Sequence, residues 1–472
     1  MRTITRHYIG GRFVESHGQG FRDIVNPTTG ETIGMGIQGD AEDARAAVAA
    51  AKAALPGWSA TSLQERGRYL QNIADSLDRH RDELAEVMTE EYGAISAFSG
   101  FTIDQARDFF LQAKALLVPE TFEERLGDAV VRKVPVGVAA LITPWNGSAW
   151  FLAMKAAVAL ASGSTVVMKP SDRSYLQSDA FIRALDEAGL PAGAINLVFG
   201  PGSVIGDELT GNPDVDKISF TGSTAVGKRI AANAAQTMKR VTLELGGKGP
   251  TVILDDADLA EAVPFALTVG LFNSGQACIS GSRILAPRHR LDEVRAALKS
   301  GIEQFKVGDP RSADTMVGPM VTSEHYESVQ SYIRKGVAEG ASVLAGGEGH
   351  PDGLAAGSFA KPTILDDVTN DMAVAQEEIF GPVLSLIAYD DDDDAVRIAN
   401  DSRYGLTAYV ATRDEERGRA VADRIQAGRT MVNQFFDDKE APFGGMKESG
   451  VGREFGKFGL EAYLETKTVY SR

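Results

Sequence analysis

From about residue 136 onward, short apolar runs alternate with stretches of helical periodicity. Residues 136–142 read as a buried strand, followed by a helix over 150–160. A strand over 165–169, a helix over 178–188, a strand over 195–198, a helix over 203–209, a strand over 217–220, a helix over 226–235 and a strand over 241–244 continue the series. Such alternation predicts a parallel, doubly wound sheet with both faces covered. Sheets of this kind take ligands beyond the carboxyl ends of their strands. A second α/β series starts near Gly247, with a strand over 251–254, a helix over 258–272, a strand over 283–285 and further alternation to about 432. Ahead of both series, residues 1–35 read as short strands and turns, with turn signals at Asn26-Pro27 and Thr29-Gly30. Residues 40–55 predict an alanine-rich helix capped by Asp40 and ended by Pro56-Gly57; 62–90 and 102–117 are also helix-periodic. The glycine-rich stretch 346–357 reads as a surface loop.

A chain of 472 residues has room for two or three domains. Its 43% hydrophobic and 24% charged content is that of an ordinary globular protein. The net charge of -17 argues against a nucleic-acid partner, which would need clustered Lys and Arg. The N-terminus is too polar for a secretory leader, and no apolar run reaches the roughly 18 residues of a membrane span. Six histidines lie scattered and only one cysteine is present, so no zinc site is expected, and no other metal. The acidic run 390–394 lacks the spacing of a calcium loop and precedes an apolar-periodic stretch, which predicts a helix N-terminus. One thiol and no leader fit a reducing, cytoplasmic setting.

That thiol, Cys278, lies in Ser274-Gly275-Gln276-Ala277-Cys278-Ile279-Ser280-Gly281. Glycines on both sides let the backbone turn tightly against a ligand. The segment by itself reads equally as a quiet core cysteine or a reactive one. Four further motifs stand at predicted strand ends. Asn146, in Thr143-Pro144-Trp145-Asn146, is either a turn residue or an amide donor to a developing oxyanion. In Lys169-Pro170-Ser171-Asp172 a lysine ends a buried strand, an awkward place for an amine without a ligand, and the acid that follows suits ribose hydroxyls; the alternative is a helix-capping loop. Phe220-Thr221-Gly222-Ser223-Thr224 joins strand, glycine turn and helix N-terminus into an anion site. Extended to Lys228, it nearly matches a nucleotide-triphosphate loop, but Arg229 stands at the magnesium-ligand position. Glu244, in Leu243-Glu244-Leu245-Gly246-Gly247-Lys248, is either a solvent-facing strand end or a buried carboxyl whose pKa is raised into the range of a general base.

Jointly these motifs resemble the NAD(P)-dependent aldehyde dehydrogenase superfamily over essentially the whole chain. The resemblance continues through Glu377-Glu378-Ile379-Phe380-Gly381-Pro382 and ends in Pro442-Phe443-Gly444-Gly445-Met446-Lys447-Glu448-Ser449-Gly450 with Gly452-Arg453-Glu454. It implies that Cys278 is the nucleophile, that Asn146 and the Cys278 N–H form the oxyanion hole, and that Glu244 is the general base. It implies Lys169 and Asp172 at the adenosine ribose, Ser223 near the pyrophosphate beside Gly222, Glu378 at the nicotinamide ribose, and Trp145 and Phe380 on the cofactor side. Lys155 matches a lysine kept near the active site, and Glu454 a carboxylate assigned to proton relay.

The implied fold is a doubly wound parallel-sheet cofactor domain (1–117 and 136–245), a second α/β catalytic domain (246–449) and a small β bridging extension (118–135 and 450–472). The extension, with a C-terminal strand over 466–471, implies a homodimer or homotetramer. Departures from the family pattern bear on specificity. Gly147 stands where many relatives carry Phe, which widens the channel; Trp150, Phe151, Phe272, Phe435 and Phe436 are expected to line it. No arginine lies near Asn146 or Cys278, against a succinate-semialdehyde type of pocket, and Asp437, Asp438 and Lys439 are placed at the mouth. Asp172 replaces the more usual Glu, so NAD is the expected cofactor with NADP left open. The expected activity is oxidation of a medium-sized apolar or aromatic aldehyde to the acid. The rivals are a CoA-acylating relative, a P-loop-like NTPase and a non-catalytic binding protein.

Overall fold

The computed structural model describes residues 1–435 and 438–470. Its first large sheet has eight strands in the order Gly450–Val451, Arg240–Glu244, Lys217–Thr221, Val138–Ile142, Thr165–Lys169, Ile195–Leu197, Arg6–Ile9 and Arg12–Glu15. The central five are parallel and the flanking strands antiparallel. Val138–Ile142 comes first in the parallel series. Its successors run to one side through Thr165–Lys169 and Ile195–Leu197, then to the other through Lys217–Thr221 and Arg240–Glu244. The chain therefore switches direction between Val138–Ile142 and Lys217–Thr221, and a crevice opens beyond their carboxyl ends.

Period-two alternation builds a core on each face. Ala139 and Leu141 pack with the helices Leu63–Arg79, Ser96–Ala115 and Ser148–Ser162, whereas Val138, Ala140 and Ile142 pack with Ala41–Ser59 and Thr224–Ala235. Both outer layers are thus filled, which explains why these strands read as continuous apolar runs.

The second sheet has seven strands: Ser342–Ala345, Thr363–Asp366, Val383–Tyr389, Arg283–Pro287, Pro250–Ile253, Thr407–Ala411 and Arg429–Val432. All pair in parallel except the first, which is antiparallel at the edge. Glu123–Leu126, Ala129–Pro135 and Leu464–Tyr470 form a separate antiparallel three-stranded sheet.

Three helices differ from the sequence expectation. The helix capped by Asp40 does not stop at Pro56 but runs to Ser59. Proline removes one backbone donor near the end of the helix, and burial of Trp58 against Tyr69 and the core holds the final turn. The periodic stretch 62–90 is two helices, Leu63–Arg79 and Arg81–Tyr92, broken at His80. The helix expected over 102–117 begins earlier, at Ser96, and takes in Gly100, which lies against the Arg81 guanidinium where a Cβ would come within 2.9 Å. The acidic run behaves as expected: Asp391 caps the Asp392–Asn400 helix and accepts from the Asp394 N–H.

Candidate active site

The loop that carries Cys278 follows a tight turn over Phe272–Gly275, in which Asn273, Ser274 and Gly275 all have positive φ (52°, 58° and 71°). Glycine is obligatory at 275, since a Cβ there would lie 2.2 Å from the Gly381 carbonyl oxygen. Asn146, in the crossover from Val138–Ile142 to Ser148–Ser162, donates its side-chain amide to the Gln276 carbonyl at 2.9 Å. Asn273 donates to the same carbonyl at 3.2 Å and accepts from the Tyr92 hydroxyl at 2.9 Å. Gln276 is itself anchored, donating to Pro319 O and accepting from Val321 N–H. Two sequence motifs 132 residues apart thus become one rigid polar loop.

Cys278 is half-buried beside this loop. Desolvation, with smaller contributions from the charges of Glu378 and Glu244, pushes its thiol up to about 12. The thiol is therefore protonated at neutral pH, and its use as a nucleophile requires a base.

Glu244 ends the strand Arg240–Glu244. Alternation sends Leu243 into one core and Glu244 to the opposite face, where it is buried with neither carboxyl oxygen bonded. Its pKa is raised well above the usual carboxylate range, first by desolvation and then by the charge of Glu454. Gly444, at φ 150°, fits against it: a Cβ there would lie 2.7 Å from Glu244 Oε1. On the same face of the sheet, Lys155 Nζ donates to Glu454 Oε1 at 2.5 Å and to Ser219 Oγ at 3.0 Å, and Ser219 also donates to Glu454. Lys217 continues this polar strip; it donates to Thr242 and lies over the Tyr463 ring. The sequence reading missed Ser219, Lys217 and Thr242, although their alternation with Ile218, Phe220 and Leu243 is the signal.

The residues expected on the cofactor side stand at the strand ends. Lys169 is buried with only the Pro170 carbonyl as acceptor, and burial lowers its pKa to about 8. Gly222 N–H donates to the Glu244 carbonyl, tying the glycine turn to the strand of the candidate base. Ser223 is the N-cap of Thr224–Ala235, but its hydroxyl makes no capping bond, and Thr221 Oγ1 is buried without a partner. Glu378 accepts from the Gly247 N–H at 2.9 Å, and burial raises its pKa to about 7. Phe380, at φ 58°, packs edge-on against Trp145 with centroids 5.4 Å apart. Asp172 is held by Arg22, whose Nη1 donates to it at 2.7 Å. The sequence reading did not include Arg22, which comes from the Gly20–Val25 strand far along the chain.

A cavity of about 340 Å³ opens on Cys278 and Asn146. Gly147, Trp150, Phe151, Phe272, Phe435 and Lys439 line it. Phe436 and Asp437 lie outside the described residues. Gly147 has φ 148°, where a side chain is strained, although an added Cβ would make only ordinary van der Waals contact with Phe151 and Trp150. The helix Ser96–Ala115 adds Phe98, Phe101, Thr102 and Gln105, and the C-terminal region adds Phe443 and Phe455. None of these was expected. The i, i+3, i+4 and i+7 spacing of 98, 101, 102 and 105 puts one face of that helix on the cavity.

Comparison with known proteins agrees with this geometry. The model of the aldehyde dehydrogenase family matches residues 13–469, and the chain belongs to that family. It is 43% identical over 471 residues to a 3-succinoylsemialdehyde-pyridine dehydrogenase of a Pseudomonas species, with 99% of each chain covered. Among solved structures it resembles a cysteine-to-alanine mutant of aldehyde dehydrogenase C from Pseudomonas syringae, complexed with NAD+ and octanal (41% identity, TM-score 0.97, covering 99% of this chain and 96% of that one). It also resembles betaine aldehyde dehydrogenase from Staphylococcus aureus in complex with NAD+ (38% identity, TM-score 0.95, covering 98% and 94%).

Proposed function

We propose that this chain oxidises a medium-sized apolar or aromatic aldehyde to the carboxylic acid, with Cys278 as nucleophile and NAD as cofactor. The observation that carries this reading is the single cavity shared by the Cys278 thiol and the Asn146 amide, with aromatic walls. The unbonded donors at the strand ends fit a dinucleotide. Lys169 Nζ has one carbonyl partner, Thr221 Oγ1 has none, and the Ser223 hydroxyl is free of capping at a helix N-terminus. Lys169 and Asp172 would hold the adenosine ribose, Gly222 and Ser223 the pyrophosphate, and Glu378, Trp145 and Phe380 the nicotinamide end. The chemistry a bound nicotinamide supplies is acceptance of the hydride from the aldehyde carbon.

The chain's own residues do the rest. Cys278 gives up its proton to solvent, and the sulfur adds to the carbonyl carbon. The resulting oxyanion is met by the Cys278 N–H and by the amide hydrogen of Asn146 not engaged by Gln276. One such donor is worth about 2.7–4 kcal/mol. After oxidation the acyl group remains on Cys278 as a thioester, and Glu244 takes a proton from the water that releases the acid. Lys155 and Glu454, behind Glu244, offer that proton an onward route.

The unbonded carboxyl of Glu244 favours water over CoA as acyl acceptor, since thiol acceptors need no such base. The NTPase reading fits poorly, because Lys228 is exposed and paired with Glu448 at 2.8 Å and does not face a phosphate cradle. Among the described residues no helix is long and apolar enough to cross a membrane. We assign oligomer bridging to the three-stranded sheet, whose exposed edge strand Glu123–Leu126 is free to pair with a second copy, and a cytoplasmic setting in which the thiol stays reduced. Reduced-nicotinamide absorbance in a screen of aldehydes with NAD and NADP, with and without CoA, tests the reading. Absence of any aldehyde-dependent signal from folded, cofactor-binding protein would point to the non-catalytic alternative.

A further inference from the structure

The cavity on Cys278 is aromatic along most of its wall, but three polar groups interrupt it on one side. Thr102 is fully buried, and its hydroxyl has no hydrogen-bond partner although it lies mid-helix, where a backbone carbonyl usually serves. Gln105, one turn further, has a buried side-chain oxygen with no partner. Lys439 reaches in from the C-terminal segment, with its ammonium 5.2 Å from the Phe109 ring centre and 5.7 Å from that of Trp150. Among the described residues no carboxylate forms an ion pair with it. The charges that act on it are Asp108, which is already paired with Arg107 at 2.8 Å, and Arg107 itself.

Unpaired buried polar groups carry a desolvation penalty that a natural core avoids unless a ligand completes them. The Thr102 hydroxyl and the Lys439 ammonium share one capability: each can donate a hydrogen bond, while the unpartnered Gln105 oxygen beside them accepts one. Lys439 lies away from the cysteine loop, and Thr102 stands between the two. Phe98 packs edge-on against Phe272 at the start of that loop, whereas Phe109, under Lys439, is eleven positions further along the same helix, a rise of roughly 16 Å. Trp150, the other ring under Lys439, is one helical turn past Asn146. The aromatic walls suit a flat apolar body between the two ends.

We infer that Thr102 and Lys439 form an acceptor-recognition subsite for the end of the substrate remote from the aldehyde. The substrate class is an aryl or similarly flat aldehyde that carries a carboxylate, or another strong hydrogen-bond acceptor, at its far end. This rests on the dehydrogenase reading above and narrows its substrate from apolar to apolar with a polar terminus. It also revises the expectation drawn from the absence of arginine near Asn146 and Cys278: the cation comes from residue 439, outside those motifs. A charge-assisted bond from the half-buried ammonium gives the discrimination its strength.

The test compares kcat/KM for para-formylbenzoate and para-formylcinnamate with the values for their methyl esters, using NAD and the full-length enzyme. The expected result is that at least one acid is preferred to its ester by about tenfold or more. Lys439→Met and Thr102→Val should each lower that acid-to-ester ratio, Lys439→Met to near unity, whereas Lys439→Arg should retain most of it. The ratio is internal to each variant, so a general loss of activity leaves it readable. If neither acid is preferred, or if the ratio is unchanged in Lys439→Met, the subsite is overturned while the dehydrogenase reading stands. If no aldehyde of the four yields reduced nicotinamide, the dehydrogenase reading beneath it fails.

Discussion

Asn146 donates its side-chain amide to the Gln276 carbonyl, two residues before Cys278, at 2.9 Å. This bond joins the first strand-end motif of one sheet to the cysteine loop of the other, and it fixes an amide hydrogen in the same cavity as the thiol. Asn146→Ala removes both the tether and the proposed oxyanion donor. The expected loss in kcat/KM is about 10²–10³, falling mainly on kcat. Steady-state kinetics measure it; a loss confined to KM would assign Asn146 to substrate binding alone.

The Cys278 thiol, raised to about 12 by burial and two nearby carboxylates, is protonated at neutral pH in the cofactor-free protein. Its alkylation by iodoacetamide should therefore climb steeply with pH, approaching about tenfold per unit between pH 7 and 10. Glu244→Gln removes one of the negative charges that raise it, so alkylation at a fixed pH should quicken. A rate already flat at pH 7 would mean that the thiolate is stabilised by something other than these neighbours.

Glu244 has a raised pKa because its charged form is desolvated and meets Glu454. A carboxyl whose folded-state pKa lies above its unfolded value favours the folded state at low pH. That contribution is lost as pH rises through the folded pKa. Glu244→Gln cannot ionise, so its stability relative to wild type should improve from pH 5 to pH 8. Thermal unfolding at the two pH values reads this, and a constant difference would show that Glu244 ionises without penalty.

Lys155 and Glu454 form a buried ion pair at 2.5 Å. Lys155→Met strands the carboxylate and should destabilise the fold by about 3–5 kcal/mol, while Lys155→Met with Glu454→Leu should recover much of the loss. Chemical denaturation of the three proteins forms the cycle. If the single and double variants are equally unstable, the packing of the lysine stem matters more than the charge.

Asp172 and Arg22 bond at 2.7 Å, at the end of the crevice proposed for the ribose. Asp172→Ala removes an acceptor for ribose hydroxyls and releases a guanidinium suited to a phosphate. The ratio of kcat/KM for NADP to that for NAD should rise about tenfold. Equal losses with both cofactors would take Asp172 out of ribose recognition.

Much of this architecture is legible in the chain. Strands such as Val138–Ile142 and Thr165–Lys169 are apolar runs bounded by turns, because both of their faces are covered. The motifs around Asn146, Glu244 and Cys278 stand out because each interrupts such a run with a polar or glycine residue at a strand end. Helix limits were less legible: Pro56 reads as a stop, yet a buried Trp58 carries the helix past it. Side chains that reach the site from elsewhere were hardest to see. Arg22, Thr102 and Gln105 sit in segments whose local pattern is ordinary, and only the packing of distant elements brings them to the two ends of the crevice.

The account depends most on a covalent acyl group on one sulfur. The direct measurement is intact-protein and peptide mass spectrometry of Glu244→Gln, quenched soon after mixing with NAD and an oxidisable aldehyde. The predicted result is an acyl adduct on the peptide containing Cys278, accompanied by about one equivalent of reduced nicotinamide per active site. Undiminished turnover with no adduct, or an adduct on any other residue, would contradict it.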